Sequence, residues 1–374
     1  MTIKLFIIPV YPYGNDHYYH EMIALAEGFT ELGYKVIGNC NYWYIPSLNK
    51  YLIEEDLNGD FDIGIYDYRY ATSFAHLFFR KGYPNFDRSK KHVLIDRNDW
   101  HSPIWINDKR YLDVFDVIAA GNLYKDYVYP QKIKPWAIGL TNRIIHSIDQ
   151  FYTEEKERDA IIGYNFRVGH NMRSGLLKAL QEKKLKYPVV PKFTDKSAIS
   201  VNSDDYEFYK KSTERHSLPY YKVLTESLGF LTFGGYYEMK PYYYEPYTLM
   251  QKAARKLYYL RYKQIKKRGE DFSKMVFIFQ QDSFRFWETL YSGAVSINID
   301  LDFWNFMLPE NPISGKQYLG ISSVIGKNFD KSLNRMSEEE LKKIGQKGRQ
   351  WVFENYSPKA QAQRVLDYLK GKMK

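Results

Sequence analysis

The chain has 374 residues, 44% of them apolar, which is long for one domain and suits two with cores of their own. Its net charge of +10 fits nucleic acid, an anionic membrane or nucleotide substrates, without choosing among them. A single cysteine, Cys40, excludes an intramolecular disulfide, and no run approaches the roughly 18–20 apolar residues of a membrane span, so a cytoplasmic protein is expected.

Lys4 to Val10 reads as the first strand rather than a signal peptide, because one lysine and a short apolar run end in turn residues. The loop Tyr11 to His20 carries Pro12, Gly14, Asn15 and Asp16. An amphipathic helix is expected over Tyr19 to Leu32, stopped by Gly33, then a strand over Tyr34 to Asn39. Asp62–Tyr66 and His92–Ile95 read as short parallel strands, and Val114–Ala120 as another. After the second of these comes Asp96-Arg97-Asn98-Asp99-Trp100-His101, polar chemistry at the carboxyl end of a strand, where α/β proteins place ligands. A simple capped turn would read the same way. The charged stretch 142–159 reads as a connection between domains.

The second half opens with a strand over Ala160–Tyr164, the loop Asn165-Phe166-Arg167, and a helix from His170 to Lys183 with Arg173 in its first turn. Tyr220–Leu228 reads as a helix and Gly229–Phe233 as a strand ending in Gly234 and Gly235, where a backbone can approach a ligand closely. Residues 236–274 look like an insertion, continuing into a basic, tyrosine-rich helix over Gln251–Arg268. That helix fits an anionic membrane surface, a nucleic-acid backbone, or a solvated face packed on its own domain through Leu257, Leu260 and Ile265. The 36 tyrosines fit sugar-stacking platforms or a compositional bias.

Met275–Phe279 is an apolar run of strand length; Asp282 and Ser283 then offer N-caps, and a helix is expected up to Gly293, followed by a strand over Ala294–Ile299. Strand, helix and strand in about 25 residues is the βαβ unit of a parallel sheet. Arg285 lies in the first helical turn, a poor place for a cation unless an anion stands in front of it. Glu288, three residues on, could bond sugar or ribose hydroxyls; an Arg285–Glu288 surface pair is the plainer alternative. Both are expected to face a cleft rather than the core, whereas Trp287 is expected to be buried. Asp300-Leu301-Asp302 fits a metal-binding triplet pattern only weakly. Ser337 and Glu340 form a capping box for a helix to Tyr356, and Ser357-Pro358 starts a last helix to about Lys370.

The run Ser283-Phe-Arg285-Phe-Trp-Glu288-Thr-Leu-Tyr-Ser-Gly293-Ala-Val-Ser-Ile resembles the donor-site signature of GT-B glycosyltransferases, closest to the exostosin-like pattern. The proline customary after Gly-x-Val is Ser296 here. The Asn165-x-Arg167 loop, the Gly234-Gly235 strand end, the opening loop and helix, and the closing Trp-Val-Phe-Glu-Asn-Tyr-Ser-Pro are also similar to that superfamily. The resemblance is strong after residue 160 and weak before it.

It implies two Rossmann-like domains facing a cleft: an acceptor domain over 1–150, a nucleotide-sugar domain over 151–355, and a C-terminal helix, 356–374, crossing back. It further implies a metal-independent hexosyl- or pentosyltransferase in glycan biosynthesis, with no cofactor beyond a UDP- or GDP-linked sugar as substrate. Donor contacts would come from Asn165, Arg167, Gly234, Asp282, Ser283, Arg285 and Glu288. The base would be one of Asp16, His17, His20 and Asp99. The acceptor could be a glycan, a lipid-linked intermediate or a modified DNA base, with peripheral membrane contact through 251–268. A non-catalytic nucleotide-sugar-binding protein is the alternative of a different class.

Overall fold

Apolar runs of strand length separated by amphipathic helices fold here into two parallel sheets, as alternating βα patterns require. The computed structural model describes residues 1–8, 18–74, 87–97, 108–155, 157–166, 168–193, 217–240, 249–279 and 282–372. The first half runs β1 (Thr2–Phe6), β2 (Lys35–Gly38), a β3–β4 hairpin (Tyr42–Ile45, Lys50–Ile53), β5 (Ile63–Asp67), β6 (Lys91–Asp96), β7 (Val117–Ala120), the short β8 (Leu123–Tyr124) and β9 (Ile133–Pro135). Six of these form one sheet in the order β2-β1-β5-β6-β7-β9, every pairing parallel. The first helix, His20–Glu31, buries Met22, Ile23, Leu25, Ala26 and Phe29, the positions whose spacing predicts it.

The second half runs β10 (Asp159–Tyr164), β11 (Val189–Pro191), β12 (Ser227–Leu231), β13 (Tyr236–Met239), β14 (Val276–Phe279), β15 (Val295–Ile299), β16 (Phe306–Met307) and β17 (Leu319–Ile321). Its sheet has the order β11-β10-β12-β15-β17, again wholly parallel.

Two expectations are corrected. The apolar run Met275–Phe279 does give a strand, but β14 pairs antiparallel with β13, and β12 is the parallel neighbour of β15. An apolar run specifies a strand and not its partner. The excursion after β12 leaves and returns through the β13–β14 pair, which keeps β14 off the main sheet. The connection 142–159 is also not simply polar: Asn142–Asp149 is a helix, capped by Thr141 and burying Ile144, Ile145 and Ile148.

The two halves are joined at several points. β8 pairs antiparallel with β16, and Tyr124 Oη donates to the Ile278 carbonyl at 2.5 Å. The helix Glu338–Tyr356 carries the expected Ser337–Glu340 capping box and packs on the second sheet beside β15. Ser357 then caps Pro358–Leu369, which crosses back onto the first helix. The approach is close enough that a Cβ on Gly28 would lie 2.0 Å from the Pro358 carbonyl oxygen. Tyr368 Oη fixes the far end by donating to the Pro135 carbonyl at 2.8 Å.

Candidate active site

The helix Phe284–Tyr291 begins where the two halves meet. Ser283 is its N-cap by backbone conformation, yet its hydroxyl donates to the Thr232 carbonyl at 3.1 Å instead of capping. The Ser283 hydroxyl is thereby turned away from the first turn, where the Phe286 N–H bonds the Ser283 carbonyl at 3.0 Å. Asp282 does not cap either. Its buried carboxylate accepts from Arg97 Nη1 at 3.1 Å, from the Ile138 N–H at 2.8 Å and from Trp287 Nε1. Arg97 Nε in turn donates to Glu21 Oε1 at 3.0 Å, so one guanidinium stands between carboxylates of both halves. Burial pushes the Asp282 carboxyl up, and Arg97 works against it. Asp282 is thus committed to holding the halves together. Trp287 is fully buried against Tyr356, 4.4 Å between ring centroids, as its spacing predicts.

Arg285 and Asn165 come from strand ends 120 residues apart and meet. Arg285 Nε donates to Asn165 Oδ1 at 2.8 Å, where Asn165 follows the carboxyl end of β10. The bond fixes the guanidinium plane while it uses only one of the five N–H groups. The surface pair with Glu288 does not form. Glu288 is fully buried, which corrects the expectation that it faces the cleft outside the core. Its Oε2 accepts from Tyr220 Oη at 3.0 Å and its Oε1 from Tyr221 Oη at 3.2 Å. Burial, then the Glu288 charge, raise the Tyr220 hydroxyl well above its usual range, opposed by Arg285. Asn165, Arg285, Tyr220 and Glu288 therefore form one connected group.

His20, the first residue of its helix, lies against this group from the other half. Its ring meets Phe284 edge-on with centroids 4.8 Å apart. Nε2 bonds the Gly139 carbonyl at 3.2 Å and Nδ1 bonds Tyr18 Oη at 2.9 Å. A carbonyl only accepts, so Nε2 carries the proton and, in the neutral ring, Nδ1 offers its lone pair to the Tyr18 O–H. Burial raises the Tyr18 hydroxyl, with Glu27, Tyr42 and Glu288 adding to it, which keeps Tyr18 a donor. A proton bound for Nδ1 therefore passes through the Tyr18 hydroxyl or displaces it.

Of the remaining sequence candidates, Asp16, His17, Asp99 and Arg167 lie outside the described residues. Gly234 is buried just after β12. Arg173 Nε donates to the Phe233 carbonyl at 3.1 Å and its guanidinium lies 5.7 Å from the Phe166 ring centre. Asp300 and Asp302 do not act as a triplet. Asp300 accepts from the Phe303 N–H and Ser322, whereas Asp302 pairs with Lys125 at 2.6 Å across the two halves, which holds its pKa low. Among the described residues, no three His, Cys, Asp or Glu side chains are placed to hold a metal.

Sequence reasoning missed Tyr18, Tyr221, Phe284 and the bridging role of Arg97. Each is an ordinary residue until a second chain segment is brought beside it. Only Arg97 carried a local signal, its place at the end of β6.

No family model matches the sequence, nor does any curated protein. Solved structures do match in fold. Alr3699/HepE of Anabaena, in complex with UDP and glucose, superposes with a TM-score of 0.52 at 8% identity, covering 99% of this chain and 100% of that one. A glycosyltransferase of Rickettsia africae ESF-5 gives 0.50 at 11% identity, over 99% and 98%. The fold is GT-B: two Rossmann-like halves with the C-terminal helix returned to the first.

Proposed function

We propose that this chain is a glycosyltransferase that moves a sugar from a nucleoside diphosphate to an acceptor hydroxyl, without a metal ion. The observation that carries the reading is the convergence of Arg285 and Asn165 at the open start of helix Phe284–Tyr291. A preset guanidinium at a helix N-terminus, beside the carboxyl end of the parallel strand β10, suits a diphosphate. The fold likeness to a protein solved with UDP and glucose supports a UDP-linked hexose as first choice, with GDP as the alternative base. On this reading residues 151–355 bind the donor, 1–150 the acceptor, and 356–374 tie the two together.

In the reaction, the bond between the sugar C1 and the diphosphate oxygen breaks as a bond from C1 to the acceptor oxygen forms. Arg285 and the helix N-terminus take the charge that develops on the leaving diphosphate. The acceptor gives up its proton, and His20 is the candidate to receive it, with the Tyr18 hydroxyl as the group between them. The buried Glu288–Tyr220–Tyr221 cluster lies behind Arg285 and supports the floor of the donor site. The test is incubation with UDP-glucose and a panel of glycan, lipid-linked and hydroxymethylated-DNA acceptors, with released UDP and product mass both measured. Expected is product with wild type, lost by two or more orders of magnitude in His20→Ala. Nucleotide binding with neither transfer nor hydrolysis on any acceptor would favour a non-catalytic binding protein.

A further inference from the structure

The helix Leu249–Lys267 has two faces, and the outer one carries a short leucine stripe. It carries seven lysines and arginines and no carboxylate. Tyr262 packs edge-on against Phe272, centroids 5.3 Å apart, and Ile265 also lies against the core. At about 3.6 residues per turn, Tyr258, Tyr262 and Ile265 therefore mark the face turned to the protein. Leu249, Ala253, Leu257, Leu260 and Gln264 fall on the opposite face, closed at its C-terminal end by Lys267, and all six are exposed. Leu257 and Leu260 are 68% and 54% accessible, so of the three residues in the domain-packing alternative only Ile265 lies against the core. Lys252, Lys256 and Lys263 line one edge of this stripe and Arg261 the other. On the Arg261 side, a cleft of about 600 Å³ presents Arg261, Lys274 and Lys327 against Asp271, so the positive field continues there.

We propose that this helix lies in the headgroup region of an anionic lipid bilayer, with the leucine stripe inserted and the lysine edge on the lipid charges. An outward apolar stripe flanked by cations, on a helix held from behind by tyrosines, fits an interfacial helix. The charge pattern selects this occupant. A second copy docked stripe to stripe would set lysines against lysines, with no carboxylate on the helix to answer them. A nucleic acid would use the lysines and leave the leucines in water. The docking is separate from the donor reading: it needs none of Asn165, Arg285 or His20.

The test is co-sedimentation of the full chain with phosphatidylcholine vesicles, with and without phosphatidylglycerol, at about 0.15 M salt. The expected result is partition onto the anionic vesicles only. Leu257→Gln with Leu260→Gln should weaken it on the order of tenfold or more. Lys252→Gln, Lys256→Gln and Lys263→Gln should weaken it about fivefold per residue. All five side chains are exposed, so melting temperature should not move, and an unmoved melt certifies each variant. Failure of folded wild type to partition overturns the proposal. So does a dimer in light scattering that the leucine variant dissociates, or retention on duplex DNA without vesicle binding. Absence of sugar transfer in a chain that still partitions would leave the docking standing and sink the donor reading alone.

Discussion

Arg285 donates Nε–H to Asn165 Oδ1 at 2.8 Å, tying the first turn of one helix to the end of the strand that opens the second sheet. The bond orients a cation that would otherwise sample many rotamers. Asn165→Ala should therefore leave the fold intact and weaken nucleoside diphosphate binding by roughly fivefold to tenfold, the worth of one hydrogen bond. Titration calorimetry beside a melting curve separates the two effects. A large fall in melting temperature would make Asn165 a structural residue.

Glu288 answers two buried tyrosine hydroxyls at once. Glu288→Ala leaves both without this acceptor and opens a small cavity, and should cost about 2–4 kcal/mol in urea denaturation. Glu288→Gln keeps a polar partner for each hydroxyl and should cost less than half as much. Equal losses would mean that the charge, rather than the hydrogen bonding, is what matters there.

The Arg97 guanidinium bridges Glu21 and Asp282 with its side chain only 9% accessible. Removing it leaves two buried carboxylates without this counter-charge. Arg97→Met should destabilise by about 3–5 kcal/mol, and adding Asp282→Asn should recover part of the loss. Additive losses in the double variant would show that the two residues do not share one interaction.

Much of this was legible in the chain. The helix His20–Glu31, the Ser337–Glu340 box and the closing helices follow from local spacing and caps, which act within a few residues. Arg285, Ser283 and Asn165 stood out because cations and amides at strand ends and helix starts are costly without a purpose. The burial of Glu288 was not legible, since it depends on Tyr220 and Tyr221 arriving from some 67 residues away. Nor was the partner of β14, because an apolar run reads the same in an antiparallel hairpin and a parallel sheet. The two faces of Leu249–Lys267 needed Phe272 to show which side is inward.

Glu27 gives the fold a pH dependence. Its carboxyl is pushed up to about 8, chiefly by burial, against the pull of the Asn142 N–H at 2.7 Å. The folded state then holds a proton that the unfolded chain releases near its ordinary value of 4.5. Stability from this group is complete below that value and is lost as pH rises through 8. Glu27→Gln should therefore remove the decline and be more stable than wild type at pH 9, by about 1–3 kcal/mol. Parallel stability curves for the two proteins from pH 5 to 9 would contradict this.

The claim that the GT-B cleft holds a nucleoside diphosphate through Arg285 is tested most directly by titrating UDP, GDP, ADP, CMP and TDP into wild type and Arg285→Ala. Loss of a charge-assisted contact should weaken the preferred nucleotide by roughly 10- to 100-fold, with the melting curve of the apo variant unchanged. Wild type that is folded and binds none of the five, or a variant that binds as well as wild type, would contradict the account.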